Sequence, residues 1–250
     1  MKSLSRRSFA MLSAGAVAAG ALGPVRAGPQ GRPVVVELFT SQGCSSSPPA
    51  DALLDELNRR PGIIALSLNV DYWDYLGWRD TLASADCTRR QRDYAARRGD
   101  NKVYTPQAVI NGREQMVGSD RRGLLAAVAR ERARGGAWPV AVSLSKGDHE
   151  VWIDIAAASN PELRHATVWV VSVVPRAVVE IGRGENAGRT VAYTNVVQKI
   201  VPAGMWHGEQ TRLTLPRPAI MNKGTFCVAL LQADGTGPIL GASMPGGTAA

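Results

Sequence analysis

The chain has 250 residues and a formal net charge of +8, and its three cysteines are Cys44, Cys87 and Cys227. Three cysteines allow at most one internal disulfide bridge and leave an odd thiol. Beyond the amino-terminal segment, no apolar run approaches the length of a membrane span, so we expect no stable membrane insertion once that segment is removed.

The first 27 residues have the features of an export signal. Ser5-Arg6-Arg7-Ser8-Phe9 is a twin-arginine pattern, an Ala-rich run follows, and Val25-Arg26-Ala27 offers small residues to a signal peptidase. The sequence therefore predicts a signal peptide over residues 1–27, of twin-arginine or Sec type, and a periplasmic or secreted product. Its removal takes away four basic residues and no acid, so the charge falls from +8 to +4. This mild charge does not indicate a nucleic-acid partner.

Residues 34–57 predict a strand, a cysteine turn and a helix. An apolar run over residues 34–39 ends in a polar turn that contains Cys44. Pro48-Pro49 suits the first turn of a helix, where a missing N–H costs nothing. Leucines recur at helical spacing over residues 53–57. A thiol at the start of a helix lies near free N–H groups and the positive end of the dipole, which favours the thiolate. Cys44 is therefore a candidate reactive cysteine.

The amino-acid sequence of this stretch is similar to that of a known family. Glu37-Leu38-Phe39-Thr40-Ser41-Gln42-Gly43-Cys44-Ser45-Ser46, followed after one residue by Pro48-Pro49-Ala50-Asp51, resembles a bacterial secreted family of thioredoxin-like proteins, known as domain of unknown function 1223. That family usually has Cys-x-x-Cys before Pro-Pro. Cys44 matches the first cysteine, whereas Ser47 occupies the position of the second. The resemblance implies a thioredoxin-like fold and thiol–disulfide chemistry.

An aromatic turn follows the next predicted strand. Residues 63–70 read as a buried parallel strand that completes a right-handed crossover. The turn after it contains Tyr72, Trp73 and Trp78 and lies on the same rim as Cys44, where open α/β sheets bind ligands. We expect these three aromatic residues to shield the thiol and contact substrate. The alternative is a lid that only closes the end of the sheet.

A second predicted helix spans residues 82–98 and brings Cys87 in its first turn toward the same rim. The helix is rich in arginine, which indicates either a solvated face or a basic rim beside the thiol. These arginines are Arg89, Arg90, Arg92, Arg97 and Arg98.

Thr105-Pro106 opens the third predicted strand. A proline cannot donate to the ladder, so it belongs at an edge or at the first position of a strand. The family resemblance implies a cis bond between Thr105 and Pro106, beside the cysteine, and a Thr105 backbone that pairs with a bound peptide. Asn111-Gly112 predicts a hairpin turn before a strand near residues 114–117. A helix over residues 119–134 completes the βαβαββα order of thioredoxin.

Beyond a predicted linker at residues 134–137, the hydrophobic pattern changes to period two. Short alternating runs begin near Val140, Val151, Val168, Leu213 and Phe226, separated by Gly, Pro and Asn turns. They predict an antiparallel sandwich of about seven strands with its own core. The predicted architecture is an α/β thioredoxin-like domain at residues 28–137, followed by an all-β antiparallel sandwich-like domain at residues 138–250 with a flexible Gly/Ala tail.

Other motifs give weaker signals. The Gly-rich segment over residues 182–189 lacks the spacing and the following helix of a dinucleotide loop. His149, His165 and His207 show no metal-ligand spacing, so we expect no metal, and the sequence predicts no cofactor. Cys227 lies between apolar residues and is predicted to be a buried hydrophobic residue.

A single thiol leaves three alternatives open. Cys44 acts alone on a mixed disulfide with a protein or a low-molecular-weight thiol, or Cys87 replaces the missing partner, or the site has lost redox function. In the first two, Cys44 is the nucleophile, Thr105-Pro106 presents substrate backbone and Ser47 hydrogen-bonds the thiolate. The competing hypothesis is a redox-inactive periplasmic binding or assembly protein that uses the groove or the β domain.

Overall fold

The computed structural model describes residues 33–134 and 140–245. The predicted signal peptide, most of the predicted linker and the Gly/Ala tail after Pro245 lie outside these residues. The first half contains β1 (Val34–Thr40), α1 (Pro48–Asn58), β2 (Ile63–Asn69), a 3-10 helix (Asp74–Leu76), α2 (Ala85–Arg98), β3 (Gln107–Ile110), β4 (Glu114–Val117) and α3 (Arg121–Ala133).

The second half is almost entirely β-strand. It contains β5 (Val142–Lys146), β6 (Glu150–Ile155), β7 (Ala166–Glu180), β8 (Thr190–Trp206), β9 (Thr211–Pro216), a one-turn helix α4 (Arg217–Ile220), β10 (Phe226–Ala233) and β11 (Ile239–Ser243). Seven strands were expected here, and seven are present within residues 140–245.

Local sequence accounts for the element boundaries in the first half. Helix α1 begins at Pro48, with prolines at its first two positions. Helix α2 begins three residues later than predicted because the Ser84 side chain caps it by accepting a hydrogen bond from Cys87 N, and it ends at Gly99 with a positive φ. The Asn111-Gly112 turn has positive φ at both residues, as a type I′ hairpin requires.

One eight-stranded sheet runs through both halves in the order β11-β10-β7-β8-β2-β1-β3-β4. β1 is parallel to β2 and antiparallel to β3, and β3 is antiparallel to β4. β8 lies beside β2 in parallel, so the edge of β2 that the first half leaves free is paired by the second half. The predicted boundary near residue 137 is therefore not a boundary of the sheet.

A second sheet of three strands, in the order β5-β6-β9, packs on one face of the larger one. Val151, Ile153 and Ile155 of β6 meet Val168 and Val170 of β7 in this core. A sandwich-like arrangement is therefore present, but four of the seven expected strands belong to the large sheet.

The expectation that the second half has a core of its own is met only in part, because one apolar cluster lies wholly within residues 140–245 but another is shared between the halves. The largest apolar cluster joins Phe39 and Leu68 of the first half to Val171, Val228 and Leu230 of the second. The cores merge because β8 continues the first sheet, so the apolar faces of neighbouring strands are contiguous.

Strands β7 and β8 form a long hairpin that the sequence did not predict. They have 15 and 17 residues, whereas the apolar pattern marked only a short strand near Val168. The hairpin loop lies at residues 181–189 and reaches the turn that contains Cys44.

The interpretation of the α2 arginines as a solvated face is wrong for Arg90. This side chain is 4% exposed and pairs with the buried Glu37 of β1, with Arg90 Nε donating to Glu37 Oε1 at 2.5 Å. Arg90 also donates to Tyr94 and to Gln232 of β10. Arg90 points inward because it shares the buried face of α2 with Cys87 and Tyr94.

Candidate functional site

Cys44 lies in a tight turn between β1 and α1. Cys44 N donates to Ser41 O at 3.2 Å, and Ser47 N donates to Cys44 O at 3.1 Å. Ser47 O accepts from Ala50 N and Asp51 N, which starts the helix. The backbone therefore holds the cysteine at the amino end of α1, as predicted, with only 3% of its surface exposed.

The Cys44 thiol contacts the loop before β3. Cys44 Sγ donates to Thr105 O at 3.5 Å, and the Thr105–Pro106 bond is cis, as the family resemblance implied. Pro106 O accepts from Gly118 N at 2.9 Å, which ties this loop to the end of β4. The structure thus brings Cys44 beside Thr105, which lies 61 residues further along the chain, and the adjoining Pro106.

The Ser47 hydroxyl is fully buried beside the same turn. Its Oγ accepts a hydrogen bond from Ser41 N at 3.4 Å. The contact with Cys44 is made by the Ser47 backbone, so the side chain supports the turn.

Cys87 does not lie on the rim as expected. It is fully buried in the large apolar cluster, and its sulfur accepts from the Ser84 hydroxyl at 3.2 Å. Burial raises the pKa of the Cys87 thiol to about 12. All three cysteines lie within the described residues and are free thiols. A core thiol with this pKa is a poor nucleophile, so the geometry does not favour the two-cysteine alternative.

Tyr72 and Trp73 cover the cysteine turn. Their rings are tilted with centroids 6.4 Å apart, and a Cβ added to Gly43 would lie 3.1 Å from Trp73 Cβ. Glycine at position 43 lets the Cβ and the backbone oxygen of Trp73 approach the turn this closely. Burial raises the pKa of Tyr72 to about 12, and the charge of Cys44 contributes to the rise.

Polar atoms in this cover are buried without partners. Within the part of the chain that the structure describes, Tyr72 OH, Trp73 Nε1 and Thr105 Oγ1 have no hydrogen-bond partner. Buried polar atoms are nearly always satisfied, so these three are available to a bound molecule or to water.

Trp78 has a different role from Tyr72 and Trp73. Its indole N–H donates to Gln42 Oε1 at 2.8 Å, and Gln42 N donates to the buried Asp80 at 2.8 Å. Asn69 at the end of β2 also donates to Asp80, whose pKa is raised by burial. Trp78 therefore stabilises the turn before Cys44 through its hydrogen bond to Gln42.

Sequence reasoning missed the contribution of residues 181–189. Asn186 Nδ2 donates to both Gln42 O and Cys44 O at 2.9 Å, and Glu185 Oε2 accepts from Ser45 N at 3.2 Å. These contacts join residues about 140 positions apart. The only signal in the sequence is an Asn and a Glu in a glycine-rich turn, which says nothing about the distant partner.

Asp51, in the first turn of α1, is a second feature that the sequence did not indicate. It is 2% exposed, and neither carboxyl oxygen has a hydrogen-bond partner among residues 33–134 and 140–245. Burial raises its pKa to about 8, and the charge of Asp80 adds to this rise. The carboxyl therefore keeps its proton to a higher pH than an ordinary aspartic acid does.

The described residues show neither a metal centre nor a membrane-spanning helix. They contain no group of three or more His, Cys, Asp and Glu side chains that is suited to hold a metal ion, although His165 and His207 meet edge-on at 5.6 Å. Among their helices, none has the length and apolar character needed to cross a membrane.

The fold and the site define a mixed α/β protein with one cysteine held at a strand-to-helix turn, beneath an aromatic cover and a loop from the second half. The chain belongs to the family described as "Protein of unknown function (DUF1223)", which matches residues 35–232.

Two solved structures resemble the chain. Protein AGR_C_4864 from Agrobacterium tumefaciens is 38% identical with a TM-score of 0.75, and the match covers 86% of this chain and 94% of that one. HBP35 of Porphyromonas gingivalis is 11% identical with a TM-score of 0.56 over 86% of this chain and 74% of that one, so it shares the fold alone. No curated protein matches the chain.

Proposed function

We propose that this protein is a thioredoxin-like thiol–disulfide exchange protein that acts through Cys44 as its single nucleophile. The observation that carries the proposal is the contact between Cys44 Sγ and Thr105 O, which joins the start of α1 to the loop before β3. A helix N-terminus is one environment that favours a nucleophilic thiol, and a neighbouring backbone allows a substrate chain to align beside it. Both meet at this point.

The thioredoxin-like part of the proposal is supported by topology. The first half has the order β1-α1-β2-α2-β3-β4-α3, and its strands are arranged β2-β1-β3-β4 with β1 and β2 parallel. Apolar residues of α1 and α3 pack on one face of these strands, while Cys87 and Tyr94 of α2 pack on the other. Fold does not imply function, so the chemistry needs its own test.

The reaction requires two thiol–disulfide exchanges. The Cys44 thiolate attacks one sulfur of a substrate disulfide, which forms a mixed disulfide and releases the other sulfur as a thiolate that takes up a proton. A second external thiolate then attacks the mixed disulfide and restores Cys44. Ser47 forms no sulfur–sulfur bond, so the resolving thiol comes from a protein or from a low-molecular-weight thiol.

The atoms without partners indicate how a substrate is held. Tyr72 OH and Trp73 Nε1 can donate to a substrate carbonyl, while Thr105 presents a backbone carbonyl to a substrate N–H. Because Cys44 is 3% exposed, the aromatic cover must open before a disulfide reaches the sulfur.

The same burial favours a second candidate, a redox-inactive binding or assembly protein. The Cys44 thiol is 3% exposed and donates to Thr105 O, so its sulfur faces the protein interior rather than an incoming disulfide. In this case the groove or the β-rich half contacts the partner, and replacing Cys44 by serine leaves binding unchanged.

One experiment separates the two. Purified protein is mixed with oxidised glutathione or with a peptide that contains a disulfide, and intact mass reports the products. We expect a single adduct on Cys44 that excess thiol removes. Cys44→Ser abolishes the adduct, whereas Cys227→Ala is a matched control, because Cys227 is fully buried in the second core. Absence of an adduct on Cys44 at any substrate concentration contradicts the exchange proposal.

We further propose that the protein is exported to the periplasm or secreted. The support is the twin-arginine pattern at Arg6-Arg7 and the small residues near Ala27. A double replacement of Arg6 and Arg7 by lysine should retain the precursor in the cytoplasm if the twin-arginine route is used. Unchanged processing of this variant indicates a Sec-type signal, and an unprocessed wild-type chain contradicts export.

A further inference from the structure

The turn that carries Cys44 depends on hydrogen bonds for its shape. Gly43 has no side chain, so its backbone dihedrals are less restricted than those of other residues. Cys44 N donates to Ser41 O, which fixes the peptide unit between Gly43 and the cysteine. The remaining freedom lies in the peptide units before Gly43 and after Cys44, whose carbonyl oxygens are Gln42 O and Cys44 O.

Asn186 holds both of these carbonyls. It lies 142 residues beyond Cys44 and is 1% exposed, although both of its neighbours in sequence are exposed. Its Nδ2 donates to Gln42 O and to Cys44 O, each at 2.9 Å. A carbonyl oxygen only accepts hydrogen bonds, so the amide nitrogen of Asn186 must face the turn. One buried side chain thus fixes the peptide units on both sides of the Gly43–Cys44 pair.

The hairpin loop that carries Asn186 is itself fixed. Ile181 N donates to Arg189 O at 2.9 Å, which closes the loop. A Cβ added to Gly184 would lie 3.3 Å from Trp78 Cβ, so the loop packs against this residue. The backbone around Asn186 therefore has the support that a side chain needs in order to orient another group.

We propose that Asn186 is a positioning residue that holds the Cys44 sulfur beside the Thr105 backbone, where a substrate chain aligns. Asn186 binds the backbone of the cysteine turn, so it acts on the sulfur indirectly. The long hairpin of the second half thus supplies a part of the thiol site that the first half does not provide. The role of Asn186 in exchange rests on the proposed function, whereas its hold on the sulfur does not.

The test replaces Asn186 by alanine, which removes both donors. Asn195→Gly is the matched control, because Asn195 Nδ2 also makes two hydrogen bonds to the first half, to Asn58 Oδ1 and Ala65 O. Asn58 is the last residue of α1, at the opposite end from Cys44. Glycine is used at position 195 because the φ of 49° there would strain alanine. If Asn186→Ala does not fold, Asn186→Ser, which keeps one donor, takes its place.

The first readout is alkylation of the native protein by iodoacetamide, a small neutral reagent, with peptide mapping. Cys44 is 3% exposed. Without the two hydrogen bonds the turn opens more often, so we expect Cys44 in Asn186→Ala to react at least about fivefold faster than in the wild type. Asn195→Gly should change this rate less than about twofold. Cys87 and Cys227 are fully buried and should stay unmodified, which excludes global unfolding as the cause.

The second readout is the rate at which Cys44 forms a mixed disulfide with a disulfide-containing peptide, divided by its alkylation rate. A small reagent needs only access, whereas exchange also needs the sulfur to be aligned with the substrate disulfide. This ratio should fall about tenfold in Asn186→Ala and stay within about twofold of the wild type in Asn195→Gly. If Asn186 only limits access, both rates rise together and the ratio is unchanged, which overturns the proposal. Equal acceleration of alkylation by Asn195→Gly also overturns it.

The failure of this inference and the failure of the proposed function are distinguishable. If wild-type Cys44 forms no mixed disulfide but its alkylation is accelerated only by Asn186→Ala, exchange is refuted and the hold of Asn186 on the sulfur stands. If the wild type exchanges readily and Asn186→Ala changes neither the alkylation rate nor the ratio, the exchange function stands and the role of Asn186 is refuted.

Discussion

Replacing Glu37 by glutamine should destabilise the whole molecule, because Glu37 and Arg90 form an ion pair in the shared core. Their side chains are 1% and 4% exposed. Tyr94 OH donates to Glu37 Oε2 at 2.5 Å, and Gln232 of β10 accepts from Arg90 at 3.1 Å. The network links β1, α2 and β10, so it joins the two halves.

The loss of unfolding free energy in Glu37→Gln follows from the unpaired charge that the variant leaves in the core. Glu37→Gln keeps the volume but leaves the guanidinium of Arg90 buried without a counter-charge, which costs about 3–5 kcal/mol. The matched control is Glu114→Gln, whose pair with Arg130 has exposed fractions of 29% and 53%. An exposed pair of this kind contributes less than about 1 kcal/mol. Glu37→Gln with Arg90→Met should recover much of the loss, since no buried charge remains.

Urea unfolding followed by tryptophan fluorescence measures these differences as changes in the free energy of unfolding. Because the network lies in a core common to both halves, the wild type should unfold in one transition, and Glu37→Gln should move that transition to lower urea. If Glu37→Gln costs no more than Glu114→Gln, the buried network does not stabilise the fold. Two separate transitions in the wild type contradict the shared core.

Three other predictions concern buried groups. In the unfolded chain Asp51 loses its proton above the ordinary pKa of 3.8, whereas the folded protein retains this proton to about pH 8. The free energy of unfolding of the wild type therefore falls as the pH rises through this interval. Asp51→Asn should remove this fall and be more stable at pH 8 by up to about 5 kcal/mol in urea titrations. Cys87 should resist alkylation in the native protein, and Cys87→Ala should leave the reaction of Cys44 unchanged in intact-mass assays. Gly118→Ala should lower the free energy of unfolding by about 1–3 kcal/mol, because its Cβ would lie 2.5 Å from Leu38 and 3.2 Å from Pro106.

A specific result would contradict each of these three predictions. Parallel pH profiles for Asp51→Asn and the wild type would mean that the carboxyl is ionised in the fold. A Cys44–Cys87 disulfide in native protein would restore the two-cysteine mechanism. Wild-type stability for Gly118→Ala would mean that the packing beside Pro106 is loose.

The first half of the fold was predictable because its signals are local. Continuous apolar runs marked β1 and β2, Pro48-Pro49 marked the start of α1, and Asn111-Gly112 marked the turn between β3 and β4. Each signal acts through the conformational preference of the residues themselves, so distant contacts do not alter it.

The second half was predicted less well because its pairing is non-local. The number of strands was right, but nothing in the alternating pattern indicates that β8 pairs with β2. The buried Arg90 was identifiable in part, since it recurs with Cys87 and Tyr94 at helical spacing on one face of α2. Its partner Glu37 is 53 residues away and carried no such signal.

The residues of the candidate site likewise fall into a group that was identified from the sequence and a group that was not. Cys44 was identified from its strand-turn-helix motif, Thr105 and Pro106 were identified from the family resemblance, and the structure brings the three together. Asn186 and Glu185 were not, because a polar residue in a glycine-rich turn acquires its role only from the carbonyl or N–H group that the fold brings to it.

The most direct test of the account traps the thiols in protein taken from its native compartment. Acid quenching and alkylation, with and without prior reduction, are followed by intact mass and peptide mapping. The account predicts a mixed disulfide on Cys44 in part of the molecules, with Cys87 and Cys227 reduced throughout. A Cys44 that is always free, and that alkylates only slowly near neutral pH, would contradict the claim that this thiol is the centre of the protein's function.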